Sequence, residues 1–102
     1  MGKAVENLTA LTLRLLARTA HPRLDEWDLA TCEVLASLPV AGMADLISPN
    51  PKGSRLSLGI RRELLQDVTL GATLHLRAGL GSSGDILAEP YPAGGDFRVE
   101  VP

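Results

Sequence analysis

The first part of the chain spaces its apolar side chains as amphipathic helices do. Residues 4–20 hold leucines and alanines at intervals of three and four, with polar side chains on the opposite arc. This spacing predicts a helix whose inner stripe is formed by Ala4, Leu8, Leu11 and Leu15. The helix should end at His21, because a residue that precedes proline avoids the helical conformation.

A second helix is predicted from Asp25 to the residue before Pro39. Asp25 is a suitable N-cap, and the acids in the first turn suit the positive end of a helix. The inner stripe of this helix would be formed by Trp27, Ala30, Val34 and Leu38. Residues 40–47 supply a third, short helix or a single helical turn, whose apolar positions are Met43, Leu46 and Ile47.

The apolar spacing changes after the segment SPNPKGS, residues 48–54, whose prolines and glycine predict a loop. Strand-like alternation then marks SRLSL, TLHLRA, DILAE and DFRVEV, with a short helix at GIRRELLQ and turns at GLGSSG and YPAGG. The predicted class is therefore α+β, with two long helices and one short helix before a small antiparallel sheet that carries one short helix. We expect a single domain, 1–102, with a helical part (1–47), the loop (48–54) and a β-rich part (55–102).

Composition narrows the classes of function. Aromatic residues make up only 3% of the chain, so there is little material for stacking on bases, and the net charge of −2 disfavours a broad surface for a polyanion. The single cysteine, Cys32, excludes an intrachain disulfide and is expected to be a small buried side chain in a reducing cytoplasm. No apolar run approaches the roughly 20 residues of a membrane-spanning helix, and the first residues lack the pattern of a signal peptide.

No motif in the chain predicts catalysis or a cofactor. GLGSSG matches the dinucleotide-binding pattern of glycines, but no helix or parallel strand follows it, so it predicts a hairpin loop. The two histidines lack a cysteine at zinc-ligand spacing, and the acids at the start of the second helix lack the glycine turn of a calcium loop. Ser82 and Ser83 lack the context of a nucleophile. We therefore expect no catalytic residue, no metal and no cofactor.

The densest cluster of positive charge lies in KGSRLSLGIRRELL. It holds four of the ten basic residues within eleven positions: Lys52, Arg55, Arg61 and Arg62. The order from Lys52 to Glu89 is glycine turn, strand, basic short helix, turn and two strands. This order resembles that of the swapped-hairpin family of AbrB and MazE type, although the proline usual before the short helix is missing.

The resemblance implies an interlocked dimer in which these four basic residues contact double-stranded DNA. It leads to the hypothesis of a small cytoplasmic transcriptional regulator or antitoxin-like protein that acts as a homodimer. The four residues could instead form a solvated strand edge that prevents aggregation. A winged helix, with its wing at LHLRAGLGSSGDILAE, is an alternative topology. The alternative function is a non-catalytic accessory subunit or adaptor that docks on a larger protein partner.

Overall fold

The computed structural model describes residues 6–47 and 50–102, which form six β-strands and one short 3₁₀-helix. The strands are β1 (Thr9–Ala20), β2 (Trp27–Pro39), β3 (Arg55–Arg61), β4 (Thr73–Leu80), β5 (Ile86–Ala88) and β6 (Arg98–Glu100), and the 3₁₀-helix spans Arg62–Leu65. None of the described residues belongs to a helix long and apolar enough to span a membrane.

Five of the strands close into a barrel. The order is β1-β2-β3-β5-β4, and β4 returns to pair with β1. All neighbours are antiparallel except β3 and β5, which run parallel and meet at the single pairing of Gly59 with Leu87. A small five-stranded barrel of this kind has the architecture of the OB barrels, and the likeness is one of topology alone. β6 continues the line of β5 along β4 beyond the barrel.

The core is aliphatic and follows from strand alternation. On β1 and β4 every second residue points inward, and the inward leucines at 13, 15 and 74 are fully buried. Burying one such side chain stabilises the fold by about 1.5–3 kcal/mol. Cys32 lies in this core with no exposed surface, as its sequence context predicts, and burial raises the pKa of its thiol to about 12.

The prediction of an α+β class is wrong, because both predicted long helices are strands. β1 occupies most of the first predicted helix, whose first positions lie outside the described residues. Leu11 and Leu15 are buried as predicted, but Leu13 between them is buried too, which only a strand achieves. Hydrogen bonding to β2 on one side and β4 on the other stabilises the extended conformation.

The second predicted helix is β2. Ala30 and Val34 are buried as predicted, but Trp27 lies on the outer face and Leu38 is 65% exposed. Asp28, one of the acids predicted to lie in the first turn of this helix, is a buried carboxylate between two arginines. The short helix predicted at 40–47 is a series of turns and one bridge.

The second half of the chain follows its predicted order of elements. Strand β3, the short helix, β4 and β5 come in the predicted sequence, and GLGSSG forms the hairpin loop between β4 and β5. The first two residues of the predicted 48–54 loop lie outside the described residues. Its remainder is a turn in which Ser54 donates to the carbonyl of Pro51, with Gly53 at a φ of 90°.

Candidate functional site

Strand β3 positions the four predicted DNA-contacting residues at its two ends. Arg55 and Arg61 are its first and last residues, and both point outward because Leu56, Leu58 and Ile60 face the core. Six steps of extended chain, at about 3.3 Å each, place them about 20 Å apart. Lys52 lies in the turn before β3, and Arg62 begins the 3₁₀-helix after it. The four residues therefore form two pairs rather than one cluster.

The pair at the start of β3 faces solvent. Lys52 and Arg55 are exposed, and neither forms an ion pair or a side-chain hydrogen bond with any residue that the structure describes. Arg55 lies opposite Glu33 on β2, and Glu33 accepts a hydrogen bond of 3.2 Å from Arg14 on β1. The row across these three strands carries two positive charges and one negative charge.

Arg61 forms a group with two aromatic side chains. Its guanidinium carbon lies 4.9 Å from the centroid of the Tyr91 ring, and Nη1 donates to the tyrosine hydroxyl at 3.1 Å. The strand register places Trp27 directly opposite Arg61 on the same outer face. Tyr91 is 76% exposed, whereas Nε of Arg61 is buried without a hydrogen-bond partner. We call Trp27, Arg61 and Tyr91 the stacking platform.

The charge of Arg61 is partly balanced by nearby carboxylates. Its Nη2 lies 3.0 Å from Glu63 and 3.8 Å from Glu26, whose side chains are 60% and 77% exposed. Ion pairs with such exposed carboxylates stabilise a protein by at most about 1 kcal/mol. The Arg61 side chain itself is only 18% exposed, so it faces solvent far less than the two carboxylates do.

Arg62 serves a different purpose, because a buried carboxylate holds it. Asp28, with 7% of its side chain exposed, accepts hydrogen bonds of 3.0 Å from Nε of Arg62 and 3.0 Å from Nε of Arg18. Arg18 also donates to the carbonyl of Leu65 at 2.7 Å. These contacts fasten the 3₁₀-helix to β1 and β2. We call Arg18, Asp28 and Arg62 the arginine brace.

An open cavity of about 540 Å³ lies between the arginine brace, Arg61 and the 3₁₀-helix. Its volume falls within the usual range for small-ligand sites. Its charged lining residues are Arg18, Arg61, Arg62, Glu26, Glu63 and Asp67. Three positive and three negative charges leave the rim without a strong preference for anions or cations.

The loops beside the outer face are tied together. Arg23, in the loop between β1 and β2, forms an ion pair with Asp85, in the loop between β4 and β5. The hydrogen bonds from Arg23 and Ser83 hold the pKa of Asp85 below its usual value. His21 fixes the first loop, because its Nδ1 accepts hydrogen bonds from the amides of Arg23 and Leu24 at 3.1 and 3.2 Å.

These ties bring the loop between β1 and β2 onto the outer surface of β3. A Cβ atom at Gly59 would lie 2.7 Å from Leu87 and 3.4 Å from both His21 and Trp27. A side chain at position 59 would therefore force the end of the Leu87 side chain to move. The result is a small apolar layer outside the barrel that supports the stacking platform.

The residues that sequence reasoning considered for other chemistry have structural contacts. Ser83 donates to Asp85 at 3.0 Å, and His75 pairs with Glu100 at 2.8 Å across β4 and β6. Within residues 6–47 and 50–102, no group of three or more histidine, cysteine or acidic side chains could hold a metal ion.

The sequence prediction missed Trp27, Tyr91 and Arg18. The apolar spacing predicts Trp27 on the inner stripe of a helix, and Tyr91 lies in a predicted turn with no strand pattern around it. Their proximity to Arg61 depends on the β2–β3 register and on the path of the chain after β5. No local signal in the sequence carries that information.

Comparison with protein-family models, curated proteins and solved structures found no match to the chain. The resemblance of residues 52–90 to the AbrB and MazE family therefore stays a prediction.

Proposed function

We propose that this protein is a non-catalytic module that binds single-stranded nucleic acid across the outer face of β2 and β3. The observation that carries the proposal is the stacking platform. It places two of the three aromatic side chains and an arginine side by side at one end of this face. In OB barrels, the corresponding face and the loops after β1 and β4 bind oligonucleotides or oligosaccharides, which supports the proposal by analogy.

The chemistry of the platform suits unpaired bases. A base can stack on the exposed ring of Tyr91, whose hydroxyl is held by Arg61, and a stacked base contributes about 1–3 kcal/mol. Lys52 and Arg55, about 20 Å away along β3, are free to contact phosphates of the same strand. This separation suits the lower end of the range of about 4–16 nucleotides that one such barrel binds.

A single strand fits this surface better than a duplex. The predicted long helices are strands, and the only helical segment among the described residues is the four-residue 3₁₀-helix. That segment is too short to act as a recognition helix in a major groove. Arg62, one of the four predicted contacts, is held by Asp28 and supports the site instead. Transcriptional regulation and a cytoplasmic location stay predictions.

The charge balance sets the expected salt dependence. Two exposed cations, Lys52 and Arg55, are placed to contact phosphates. For single strands, two contacts give a slope of log K against log salt of about −1.4. Binding should therefore be modest at physiological salt and measurable at low salt.

Fluorescence anisotropy with a labelled single strand and with the matching duplex tests the proposal. We expect the single strand to bind more tightly than the duplex at low salt. Tyr91→Ala should weaken binding roughly 5- to 150-fold through the loss of stacking. Leu70→Ala is the matched control, because Leu70 is also apolar and 56% exposed but lies before β4. No binding of the single strand at low salt, or equal binding by Tyr91→Ala, would refute the proposal.

An accessory subunit that docks on a larger protein is the second candidate. It is favoured by the internal pairing of Arg61 and Arg62 with Glu63 and Asp28, which leaves few free cations on a chain of net charge −2. Stoichiometric co-purification with one protein, resistant to nuclease and unchanged in Tyr91→Ala, would support this candidate. Loss of the complex on nuclease treatment would contradict it.

A further inference from the structure

Strand β6 is an open edge of the sheet. It pairs with β4 alone, and Arg98, Val99 and Glu100 are all exposed. Among residues 6–47 and 50–102, no strand pairs with its other side. Unpaired backbone groups on such an edge are a template for another strand.

An apolar row follows one face of β6 and runs beyond the core. Val99 lies opposite the buried Leu74, so Phe97, Val99 and Val101 share the core side of the sheet. Phe97 packs against the core, but Val99 is 38% exposed and Val101 is 85% exposed. The edge thus presents one valine that the described residues cover in part, Val99, and one that they leave almost uncovered, Val101.

The opposite face of β6 carries two charges of opposite sign. Arg98 and Glu100 flank Val99, and Glu100 is held by His75 at 2.8 Å. Arg98 forms no ion pair within the described part of the chain. Because one cation and one anion lie on either side of Val99, a second copy of this strand in the antiparallel direction would place opposite charges next to each other.

We propose that a second copy of this chain covers the edge, with β6 pairing antiparallel to β6 about a two-fold axis at Val99. This axis places Arg98 opposite Glu100 of the second copy, and the symmetry makes the same pair twice. On the core side, Phe97 meets Val101 of the second copy, and the two Val99 side chains meet at the axis. The contact gives the open backbone edge its hydrogen-bond partners, pairs Arg98 with a carboxylate and buries the exposed valines.

The interface is short, so the dimer should be weak. An interface of five residues from each copy buries less surface than stable interfaces usually do, and interfaces this small are typical of transient association. We expect a monomer at low micromolar concentration and a dimer as the concentration approaches millimolar.

Sedimentation velocity across that range, without nucleic acid, tests the interface separately from the proposed function. Arg98→Glu places like charges opposite each other twice and should weaken dimerisation about 10-fold. Glu100→Arg should weaken it similarly, and the double variant R98E/E100R should restore it. Arg55→Glu makes the same charge change on β3 and should leave dimerisation unaltered.

Glu100→Arg also removes the contact with His75, so circular dichroism must show that each variant is folded. Arg98→Glu is the decisive single variant, because Arg98 has no side-chain partner in the described residues. A wild-type monomer throughout the range would overturn the proposal and would leave the charged edge as protection against aggregation. A dimer that Arg98→Glu does not weaken would also overturn it.

Discussion

Removal of the Asp28 carboxylate should destabilise the protein far more than removal of an exposed acid on the same strand. Asp28→Ala leaves the guanidinium groups of Arg18 and Arg62 facing each other without their shared anion. Removing one partner of a fully buried pair costs about 3–5 kcal/mol. Because the two arginine side chains are 27% and 50% exposed, solvent screens them, and we expect about 2–3 kcal/mol.

Thermal and urea unfolding followed by circular dichroism would measure this loss. For a domain of this size, 2–3 kcal/mol corresponds to a fall in Tm of about 10–20 °C. Glu33→Ala is the matched control on β2, because its ion pair with Arg14 is exposed on both sides and should contribute less than about 1 kcal/mol. If Asp28→Ala lowers the free energy of unfolding no more than Glu33→Ala does, the arginine brace does not hold the site.

Three further predictions test the packing and the loop contacts. Gly79→Ala should lower the free energy of unfolding in urea by about 1–3 kcal/mol, because the new Cβ would lie 2.7 Å from the backbone carbonyl oxygen of Asn7. Gly94→Ala is the control, because a Cβ there would meet no atom within 4 Å, and it should change this free energy little. Equal losses in the two variants would contradict the packing around Gly79. Cys32 should not react with a thiol reagent until the protein unfolds, since it is buried with a pKa of about 12; rapid labelling of the native protein would contradict its burial. Arg23 lowers the pKa of Asp85 in the folded protein. The ionised carboxylate therefore stabilises the fold at any pH above the pKa of the unfolded chain, about 3.9, and this stabilisation is lost as the pH falls through the lower pKa of the folded protein. Asp85→Asn should therefore lower Tm at neutral pH, with the difference from wild type disappearing in strong acid; a difference independent of pH would contradict this linkage.

The first two strands were misread because one spacing serves two conformations. Leu11 and Leu15 are four residues apart, which places them on one face of a helix and also on one face of a strand. The residues that distinguish the two are Leu13 and Cys32, each buried halfway between two buried neighbours. Pairing with β4, far along the chain, then fixes the extended form of β1, and no local preference reveals it.

The second half was easier to predict because its strands are short and bounded by glycine and proline. Leu74 and Leu76 alternate with His75 and Arg77, and no helical stripe fits that pattern. The site itself was beyond prediction for a geometric reason. Arg61 and Arg62 are neighbours in sequence, but Arg61 turns to Tyr91 and Arg62 to Asp28.

Titration of the intrinsic fluorescence of Trp27 tests the central claim most directly. Trp27 is the chain's single tryptophan and belongs to the stacking platform, so its emission reports on the surroundings of that site. Addition of an unlabelled single-stranded oligonucleotide at low salt should change this emission in a saturable manner, and added salt should reverse the change. An emission that stays constant while the same oligonucleotide is bound elsewhere, or is not bound at all, would contradict the account.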